Sequence, residues 1–291
     1  MRQMALALEN SVHLGDNLEV LKSVADESVD LVYIDPPFNT GKRQSRSRML
    51  AVPDADGDRT GFGGRRYRTE AVEGAGSYED NFEDYLAFIE PRVREAHRVL
   101  KPTGSFFFHI DYREAHYCKV LIDQVFSREC FLNEIIWAYD YGARSKRKWP
   151  AKHDTIFWYV KDVGRYHFDL SEVDRLPYMA PTLVGAEKAE RGKLPTDVWW
   201  HTIVSPTGKE KLGYPTQKPL GVLRRIVVSS CPVGGLVLDF FAGSGTTGAA
   251  ALESRRRFML VDDNPEAIEV MKRRFAGEAS VEFIEPKPVQ P

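Results

Sequence analysis

The chain has 291 residues, of which 43% are hydrophobic and 28% charged, and its formal net charge is −2. This length suits one α/β domain with insertions, or one domain plus a small second lobe. No apolar run reaches the ~18 residues of a membrane span and no signal-peptide pattern is present, so we expect a cytoplasmic protein without a membrane partner. Three scattered cysteines, Cys118, Cys130 and Cys231, predict neither a disulfide framework nor a metal site.

Basic residues concentrate in two segments, although the net charge is close to zero. Eight lie between positions 42 and 68 against three acids, and five lie between positions 144 and 152 with no acid. This segregation favours contact with a polyanion, although solvated loop charge explains either cluster equally well. The candidate DNA-binding residues are Lys42, Arg43, Arg144, Lys146, Arg147 and Lys148.

Strand and helix patterns alternate along most of the chain. In chain order they predict a strand end and a helix over 12–24, a strand at 29–34, a helix over 82–100 that Pro91 kinks or divides in two, a turn at 101–104, a strand at 105–110 and a helix over 112–126. They then predict strands at 135–141 and 155–160, a helix at 220–229, a strand at 235–241, a helix at 246–253, a strand at 257–261 and a helix at 265–275. Such alternation predicts a doubly wound α/β fold with a parallel sheet.

Two segments show no clear period. Residues 39–77 are rich in glycine and arginine and predict a long mobile insertion, with a basic loop at 42–76. Residues 163–214 are irregular and aromatic, and the adjacent Trp199 and Trp200 suit either a packed core or the stacking of bases.

A predicted strand runs straight into a glycine turn with the sequence DFFAGSGTTG at 239–248. Gly243 and Gly245 let the backbone approach a ligand at the carboxyl edge of the sheet. Asp262 ends the next predicted strand, about 20 residues further on, where a carboxylate can accept hydrogen bonds from ribose hydroxyls. The spacing Gly243-x-Gly245-x-x-Gly248 also fits a dinucleotide, so this motif alone leaves an oxidoreductase open.

A D-P-P-F tetrapeptide, Asp35 to Phe38, directly follows the predicted strand at 29–34. Pro36 and Pro37 fix two successive φ angles and leave their carbonyl oxygens as acceptors. Together with the Asp35 carboxylate and the Phe38 ring, they offer acceptors and a stacking platform to a planar base that carries an NH₂ group. A rigid turn without further function is the alternative.

These motifs, in this order, resemble the β-group of DNA amino-methyltransferases, in which a D/N/S-P-P-Y/F motif precedes an F-x-G-x-G motif. The matching segments are HLGDNLEVL (13–21), VDLVYIDPPFNTG (29–41), GSFFFHIDYREAHY (104–117), AKHDTIFWYVK (151–161), GYPTQKP (213–219) and LVLDFFAGSGTTGAAAL (236–252), whereas 42–76 has no counterpart. The resemblance implies a permuted Rossmann-like methyltransferase fold, with a mostly parallel central sheet and helices on both faces. It also implies S-adenosyl-L-methionine as cofactor, and a catalytic domain at 1–162 and 213–291 around a target-recognition region at 163–212.

The resemblance further implies a role for individual residues. The catalytic group is Asp35, Pro36, Pro37 and Phe38. Asp16 would lie near the adenine of the cofactor, Asp262 at its ribose, and Thr216, Gln217 and Lys218 near its carboxylate. The rest of the cofactor-binding set is Asp35 with Asp239, Phe240, Gly243 and Gly245 along the methionine portion, and Phe241, Ala242, Ser244, Thr246 and Thr247 in the same turn.

The expected reaction is direct methyl transfer to the exocyclic amino nitrogen of a base flipped out of double-stranded DNA. Asp35 and the Pro36 carbonyl would accept the two N–H bonds of that amine. Aspartate at the first motif position favours adenine N6 over cytosine N4, which remains the alternative. Carbon-5 methylation of cytosine is excluded because it needs a cysteine after a proline, whereas Cys231 precedes one.

Other classes of protein compete with this interpretation. They are a non-catalytic DNA-specificity subunit with a methyltransferase fold, an RNA or protein amide methyltransferase, and a dinucleotide oxidoreductase that would leave the D-P-P-F motif unexplained. A cognate restriction endonuclease and a homodimer are both compatible with the sequence, which decides neither.

Overall fold

The computed structural model describes residues 10–39, 44–45, 48–53, 56, 59–60, 66–72, 77–78, 82, 84–140, 145–205 and 208–285. The chain divides into two compact units, residues 39–83 and the remainder. Within the described ranges, no helix is both long and apolar enough to cross a membrane.

Fourteen strands and seven α-helices follow one another in the described residues. In chain order they are β1 (Asn10–Leu14), α1 (Asn17–Leu21), β2 (Val29–Ile34), β3 (Gln44–Ser45), β4 (Arg48–Pro53), β5 (Arg59–Thr60), β6 (Arg66–Val72), β7 (Ser77–Tyr78), α2 (Tyr85–Val99), β8 (Leu100–Ile110), α3 (Ala115–Phe126), β9 (Phe131–Ala138), β10 (His153–Val160), α4 (Ala186–Arg191), β11 (Val198–Trp200), α5 (Leu220–Ser230), β12 (Leu236–Asp239), α6 (Thr246–Glu253), β13 (Arg257–Asp262), α7 (Pro265–Arg274) and β14 (Val281–Ile284). Short 3₁₀ helices occur at Arg128–Cys130 and Pro181–Leu183.

The larger unit is built on one nine-stranded sheet with the order β11-β9-β10-β8-β2-β12-β13-β1-β14. Of these nine strands, β10 is antiparallel to both of its neighbours, and the other eight share one direction. The central strands β2 and β12 are buried along their whole length, as expected for parallel strands covered on both faces. The predicted mostly parallel α/β sheet is therefore confirmed.

The helices form two groups, one for each face of the sheet. On one face, Leu31 and Tyr33 of β2 share a core with Leu223 and Ile226 of α5, and α5 in turn contacts α6. On the other face, α2 contacts α1 and α3. This arrangement buries alternate residues of each central strand against different helices, which is the layering of a doubly wound fold.

The connections leave β2 and β12 in opposite directions. From β2 the chain passes through α2 to β8 on one side, and from β12 it passes through α6 to β13 on the other side. Because β2 and β12 are neighbours, their carboxyl ends flank the point at which the winding of the sheet reverses. Open α/β sheets bind their ligands in the crevice at such a point.

Several element boundaries differ from the sequence predictions. β8 begins at Leu100 rather than Ser105, because its pairing with β2 shifts from Val29–Leu100 to Leu31–Ser105 and the predicted turn at 101–104 becomes a bulge inside the strand. α2 is one helix with Pro91 inside it, so the alternative of two separate helices is wrong. The short elements α4, β11 and β14 were not predicted.

The smaller unit, residues 39–83, contains the strands β3 to β7. β3 pairs with β7, and β6 pairs with both β4 and β5, all antiparallel. The expectation of an insertion without regular elements is therefore wrong at these positions. A signal was present in the sequence, since charged and uncharged residues alternate along Arg66–Val72. The predicted DNA contacts Lys42 and Arg43 lie outside the described residues.

Candidate active site at the carboxyl edge of the sheet

Five neighbouring parallel strands lead into an aspartate at the same edge of the sheet. In spatial order these are Asp111 after β8, Asp35 after β2, Asp239 at the end of β12, Asp262 at the end of β13 and Asp16 just after β1. The D-P-P-F turn and the glycine turn, which are far apart in sequence, therefore lie side by side at the reversal point of the sheet.

The D-P-P-F turn is held by two side chains from other elements. Lys218 Nζ donates to Asp35 Oδ2 in a close ion pair whose side chains are only 11% and 14% exposed. The Tyr85 hydroxyl of α2 donates to the Pro37 carbonyl at 2.6 Å. Asp35 Oδ1 is buried and accepts no hydrogen bond from the described residues, and none of them donates to the Pro36 carbonyl either. The turn thus leaves two acceptors open.

A buried polar network lies behind Phe38. The Phe38 ring is 6.0 Å from the His109 ring, whose Nδ1 is 2.8 Å from the Tyr33 hydroxyl and whose Nε2 is 3.2 Å from Asp154 Oδ2. Tyr139 donates to the other Asp154 oxygen at 3.1 Å. Burial is the largest single influence and would raise the pKa of Asp154, but the hydrogen bonds from His109 and Tyr139 and the nearby charges of His109 and Lys218 together outweigh it, and the pKa is lowered. The network fixes the ring against which Phe38 rests.

The glycine turn depends on two residues in the left-handed region of φ. Gly243 has a φ of 51° and Gly245 a φ of 73°, and a Cβ on Gly245 would lie 2.7 Å from Met271 Cγ. Asp239, 2% exposed, accepts from the Phe241 backbone N–H at 3.0 Å and from the Thr247 hydroxyl at 2.6 Å. Its carboxylate therefore shapes the turn from inside.

Asp262 ties the glycine turn to the next strand ends. Its two oxygens accept from the backbone N–H groups of Gly243 at 2.7 Å and Asn264 at 3.0 Å, and its carbonyl accepts from Gly15 N at 3.0 Å. The neighbouring Asp16 is exposed and accepts from Glu19 N at the start of α1. A carboxylate has further lone pairs, so Asp262 can still accept bonds from a ligand.

The edge carries a surplus of buried negative charge. Burial, reinforced by the nearby charges of Asp35 and Asp262, raises the pKa of Asp239 to about 7 despite the bonds from Thr247 and Phe241. Burial likewise raises the pKa of Asp262 to about 6. A positively charged ligand stabilises the ionised form of carboxylates in such a position. A sulfonium cofactor carries such a positive charge. The main chain of the glycine turn can approach the cofactor closely, because Gly243 and Gly245 have no side chain.

The other predicted cofactor-binding residues differ in their burial and in the groups that they contact. Gln217 is 7% exposed and bonds to Leu212 N and the Glu210 carbonyl, so its amide braces the preceding loop. Lys218 contacts Asp35 directly, and its carbonyl accepts from the Thr246 hydroxyl at 3.2 Å. The remaining members surround the glycine turn: Phe240 is buried, Phe241 and Ala242 connect β12 to the turn, Ser244 bonds to Thr246, and Thr216 is exposed on the approach to Lys218.

Sequence analysis missed three residues that hold the two turns in place. Tyr85 fixes Pro37, as described above. Asn17 Nδ2 donates to the Phe240 carbonyl at 3.0 Å, and Arg92 Nε donates to Asn17 Oδ1 at 2.9 Å. The glycine turn is thereby connected to α1 and α2. The motif at 13–21 contains Asn17 beside Asp16, which was the one available signal.

The second basic segment lies at the same edge as the two turns. The loop 139–152 connects β9 to β10, and the pairing of Thr155 with Ile110 places the start of β10 at the carboxyl end of β8. Lys146, Arg147 and Lys148 are exposed, and Lys148 Nζ lies 5.9 Å from the Tyr112 ring. Arg144 lies outside the described residues.

Two of the three cysteines are unsuited to nucleophilic catalysis. All three are free thiols, and burial raises the pKa of both Cys118 and Cys231 to about 12. Thiolate is then scarce at neutral pH. In the part of the chain that the structure describes, no group of three or more His, Cys, Asp or Glu side chains is arranged to hold a metal ion.

A doubly wound, mostly parallel sheet whose reversal point carries a glycine turn beside a D-P-P-F turn defines a Rossmann-like methyltransferase. The family described as DNA methylase, N6_N4_Mtase, matches residues 29–273, and the chain belongs to this family. The predictions of a DNA amino-methyltransferase and of its cofactor, S-adenosyl-L-methionine, are confirmed with the family.

Individual relatives agree with this assignment. The chain is 31% identical to the DNA adenine methyltransferase YhdJ of Escherichia coli K12 over 89% of this chain and 80% of the relative. It is 28% identical to the type II methyltransferase M.HpaI of Haemophilus parainfluenzae over 90% of this chain and 72% of the relative.

Solved structures share the fold. The cytosine-N4-specific PvuII DNA methyltransferase has a TM-score of 0.60 at 20% identity and covers 93% of this chain and 88% of its own. The M1.HpyAVI–SAM complex has a TM-score of 0.58 at 19% identity and covers 91% of this chain and 98% of its own. At these identities the likeness concerns the fold alone.

Proposed function

We propose that this chain methylates the N6 amino group of adenine in double-stranded DNA, with Asp35 and the Pro36 carbonyl holding the target amine. The observation that carries this proposal is the pair of open acceptors in the D-P-P-F turn, above all the buried Asp35 Oδ1 without a partner among the described residues. Adenine is favoured by the aspartate at the first motif position and by the relative named as a DNA adenine methyltransferase. Cytosine N4 is the second candidate, because a structural neighbour is named as cytosine-N4-specific.

The two acceptors match the chemical problem of the reaction. An exocyclic amine is a poor nucleophile because its lone pair is delocalised into the ring of the base. Two acceptors, one on each N–H, draw the nitrogen toward tetrahedral geometry and turn its lone pair outward. Bound S-adenosyl-L-methionine supplies an electrophilic methyl group. The positive charge that passes from the sulfonium to the nitrogen with the methyl group would be stabilised by the preorganised Asp35 carboxylate, and the proton that the methylated amine then loses would pass to Asp35 Oδ1.

Lys218 gives Asp35 its orientation in this scheme. The ammonium occupies Oδ2, so Oδ1 is the oxygen that remains for the amine. Lys218 also lies 5.0 Å from the centre of the Phe38 ring. We therefore assign Lys218 to the D-P-P-F turn as a positioning residue, in addition to the role near the cofactor carboxylate that the family resemblance implies.

The target amine cannot be reached inside a duplex, so the base has to flip out at a cost of a few kcal/mol. Stacking of the base on Phe38 would return ~1–3 kcal/mol of this cost. We propose that Lys146, Arg147 and Lys148 bind backbone phosphates near the opened base, and that residues 163–212 recognise the target sequence. Within 163–212, Trp199 is buried and Trp200 is 67% exposed, so Trp200 is the candidate for stacking.

The central experiment measures methyl transfer and cofactor binding separately for Asp35→Ala. We expect the rate of transfer from labelled S-adenosyl-L-methionine to DNA to fall by at least about 10³-fold. Affinity for the cofactor, measured by calorimetry, should change far less than the rate of transfer. Glu90→Gln, an exposed change on α2, is the control for altered charge. Normal turnover in Asp35→Ala would refute the assignment of Asp35.

Nucleoside mass spectrometry of DNA methylated by the wild-type chain identifies the base. We expect N6-methyladenine. If N4-methylcytosine is the only product, the choice of adenine is wrong while the amino-methyltransferase mechanism stands. If the cofactor binds but methylated DNA never forms, the chain is a specificity subunit.

The DNA-binding proposal has its own test. Replacing Arg147 and Lys148 together by alanine should weaken binding to all duplex sequences alike and reduce the salt slope by about 2, because two phosphate contacts are lost. Replacing Lys22 and Arg273, which are exposed and lie outside both the loop 139–152 and residues 163–212, is the matched control. An unchanged affinity and slope in the first double variant would contradict the assignment of the loop.

A restriction partner and a homodimer complete the proposal. Several relatives are named type II methyltransferases, which supports a search for a cognate restriction endonuclease in the same genome. A methyltransferase of cellular DNA would work in the cytoplasm of a bacterium. Light scattering of the purified chain, with and without DNA, determines its oligomeric state.

A further inference from the structure

A cavity of about 370 Å³ lies against the sheet face that α5 covers. Phe107 of β8, Ile135 of β9 and Trp158 of β10 form its floor, and residues of 168–173 and 195–199 form its walls. Arg225 and Ser229 of α5 close one side. None of the lining residues belongs to the D-P-P-F turn or to the glycine turn, so the cavity is distinct from the methyl-transfer site.

Aromatic rings make up much of the cavity lining. Trp158 stacks on Phe107 with ring centroids 5.5 Å apart and planes inclined by 9°, and Phe168 lies 5.0 Å from Trp158. The indole N–H of Trp158 donates to Ser105 Oγ at 3.1 Å, and that of Trp199 donates to the Thr196 carbonyl at 2.6 Å. Both indoles therefore offer the cavity apolar faces.

Arg225 is the only lysine or arginine among the described residues of this mostly apolar lining. It is 8% exposed, and its guanidinium carbon lies 4.8 Å from the centre of the Trp199 ring. Its Nε and Nη1 atoms are buried and have no hydrogen-bond partner among the described residues. A buried cation without acceptors is costly, and buried charges in proteins are normally paired.

Arg256 is another buried arginine of this fold and can be compared with Arg225. It is 5% exposed, and it donates to the Cys231 carbonyl at 3.0 Å, to the Ser254 carbonyl at 2.6 Å and to Glu172 at 2.6 Å. Arg225 has no such set of acceptors, although it is almost as deeply buried. The contrast indicates that the acceptors for Arg225 come from a molecule that enters the cavity.

We propose that this cavity binds a small aromatic carboxylate, with its carboxylate on Arg225 and its ring among Phe107, Trp158 and Phe168. A guanidinium is planar and matches a carboxylate through two parallel hydrogen bonds. Aromatic walls around one charged group are typical of sites for small molecules, and the volume falls within the usual range of about 300–1,000 Å³.

The charge of the lining argues against a phosphate ligand. Among the described residues that line the cavity, Arg225 is the only lysine or arginine, and Asp197 adds an acid. A phosphate dianion would lack a second cation and would be repelled by Asp197. A single negative charge on an apolar body suits the site better.

The test uses the full chain with 2-naphthoate as the probe and 2-naphthamide as its neutral counterpart of the same shape. Isothermal titration calorimetry is run with the methyl-transfer site saturated by S-adenosylhomocysteine. We expect one site per chain for 2-naphthoate, with a Kd at least about tenfold lower than that for 2-naphthamide. Equal affinities, no binding of either compound at millimolar concentration, or complete loss of binding with S-adenosylhomocysteine would overturn the proposal.

One arginine of the cavity and one exposed arginine outside it provide a matched pair of variants. Arg225→Met keeps the apolar stem and removes the charge, and it should weaken binding of 2-naphthoate by at least about tenfold while leaving 2-naphthamide unaffected. Arg191→Met removes an exposed arginine of α4 that does not line the cavity, and it should change neither. An unaltered Kd in Arg225→Met would overturn the proposal. If Arg225→Met does not fold, the comparison of acid and amide on the wild-type chain still decides.

Discussion

The raised pKa of Asp239 makes a specific prediction for the pH dependence of stability. Asp239 has a pKa of about 7 in the folded chain, against an ordinary value of 3.8. The folded state therefore holds a proton that the unfolded state releases. The stability that this proton contributes is fully present below pH 3.8 and is lost as the pH rises through about 7. A shift of about three pH units corresponds to about 4 kcal/mol at most, of which roughly 2 to 3 kcal/mol falls between pH 5 and pH 8.

Asp239→Asn removes this dependence while keeping the geometry of the turn. An asparagine oxygen can accept from the Phe241 N–H and its amide can donate to the Thr247 hydroxyl oxygen, so both observed contacts persist. Relative to the wild-type chain without cofactor, the variant should gain roughly 2 to 3 kcal/mol in the free energy of unfolding as the pH rises from 5 to 8. For a chain of this size that is a relative gain in Tm of about 5 °C or more.

Differential scanning fluorimetry of both proteins across this pH range measures the effect. Other titrating groups cancel because only the difference between the two Tm curves is used. Glu187→Gln, which also removes one carboxylate but at an exposed position of α4, is the control and should follow the wild-type curve. If the difference between Asp239→Asn and the wild type stays constant from pH 5 to pH 8, Asp239 does not titrate in this range and the electrostatic account of the edge is wrong.

Three further substitutions test the two turns. Lys218→Met leaves the Asp35 carboxylate buried without its partner, so stability should fall by about 3 kcal/mol in urea unfolding and single-turnover methyl transfer should slow by at least about tenfold. Tyr85→Phe removes the bond to the Pro37 carbonyl and should cost about 1 kcal/mol of stability, with cofactor affinity in calorimetry unchanged. Gly245→Ala places a Cβ where φ is 73° and a methionine lies too close, so thermal stability should fall by about 1–3 kcal/mol and the cofactor should bind more weakly.

The elements that sequence analysis predicted well carry their signals locally. β2 is a run of β-branched and apolar residues that stops at Asp35, and α7 starts at Pro265 after Asn264, whose side chain caps the helix through Glu266 N. These features can be recognised from the local sequence alone, without knowledge of the residues that they contact in the fold. The predicted bounds of β2 and α6 agree with the structure, and those of β13 and α7 differ at their ends by one residue.

The elements that were missed depend on contacts far away in sequence. β14 has four residues and pairs with β1 at the opposite end of the chain, with Asn10 opposite Val281. β11 has three residues and is defined by its pairing with β9. Strands this short do not show a hydrophobic period in the sequence. They can be recognised only from their pairing with a neighbouring strand of the sheet. The contact between Lys218 and Asp35 is non-local in the same way.

The candidate site was predictable in its parts, but its energetics were not. Asp35, Asp239 and Asp262 could be read from the sequence as the residues at the end of apolar runs. Their interaction could not, because the strands that follow one another as β1, β2, β12 and β13 along the chain stand as β2, β12, β13 and β1 in the sheet. This order brings Asp35 beside Asp239, whose pKa is raised mainly by burial and further by the nearby charges of Asp35 and Asp262.

The order of the strands in the sheet also determines how much of the chain must be folded before the site forms. The D-P-P-F turn at the end of β2 is complete early in the chain, whereas the glycine turn follows β12, which pairs with β2 through Leu31 and Val237. The acceptors for the amine and the turn for the methyl donor therefore meet only when the carboxyl-terminal strands have joined the sheet. A chain that ended before β12 would keep Asp35 but lack the cofactor turn, and the central strand β2 would have one open edge. Methyl transfer is thus a property of the assembled sheet and cannot be divided between the two motifs.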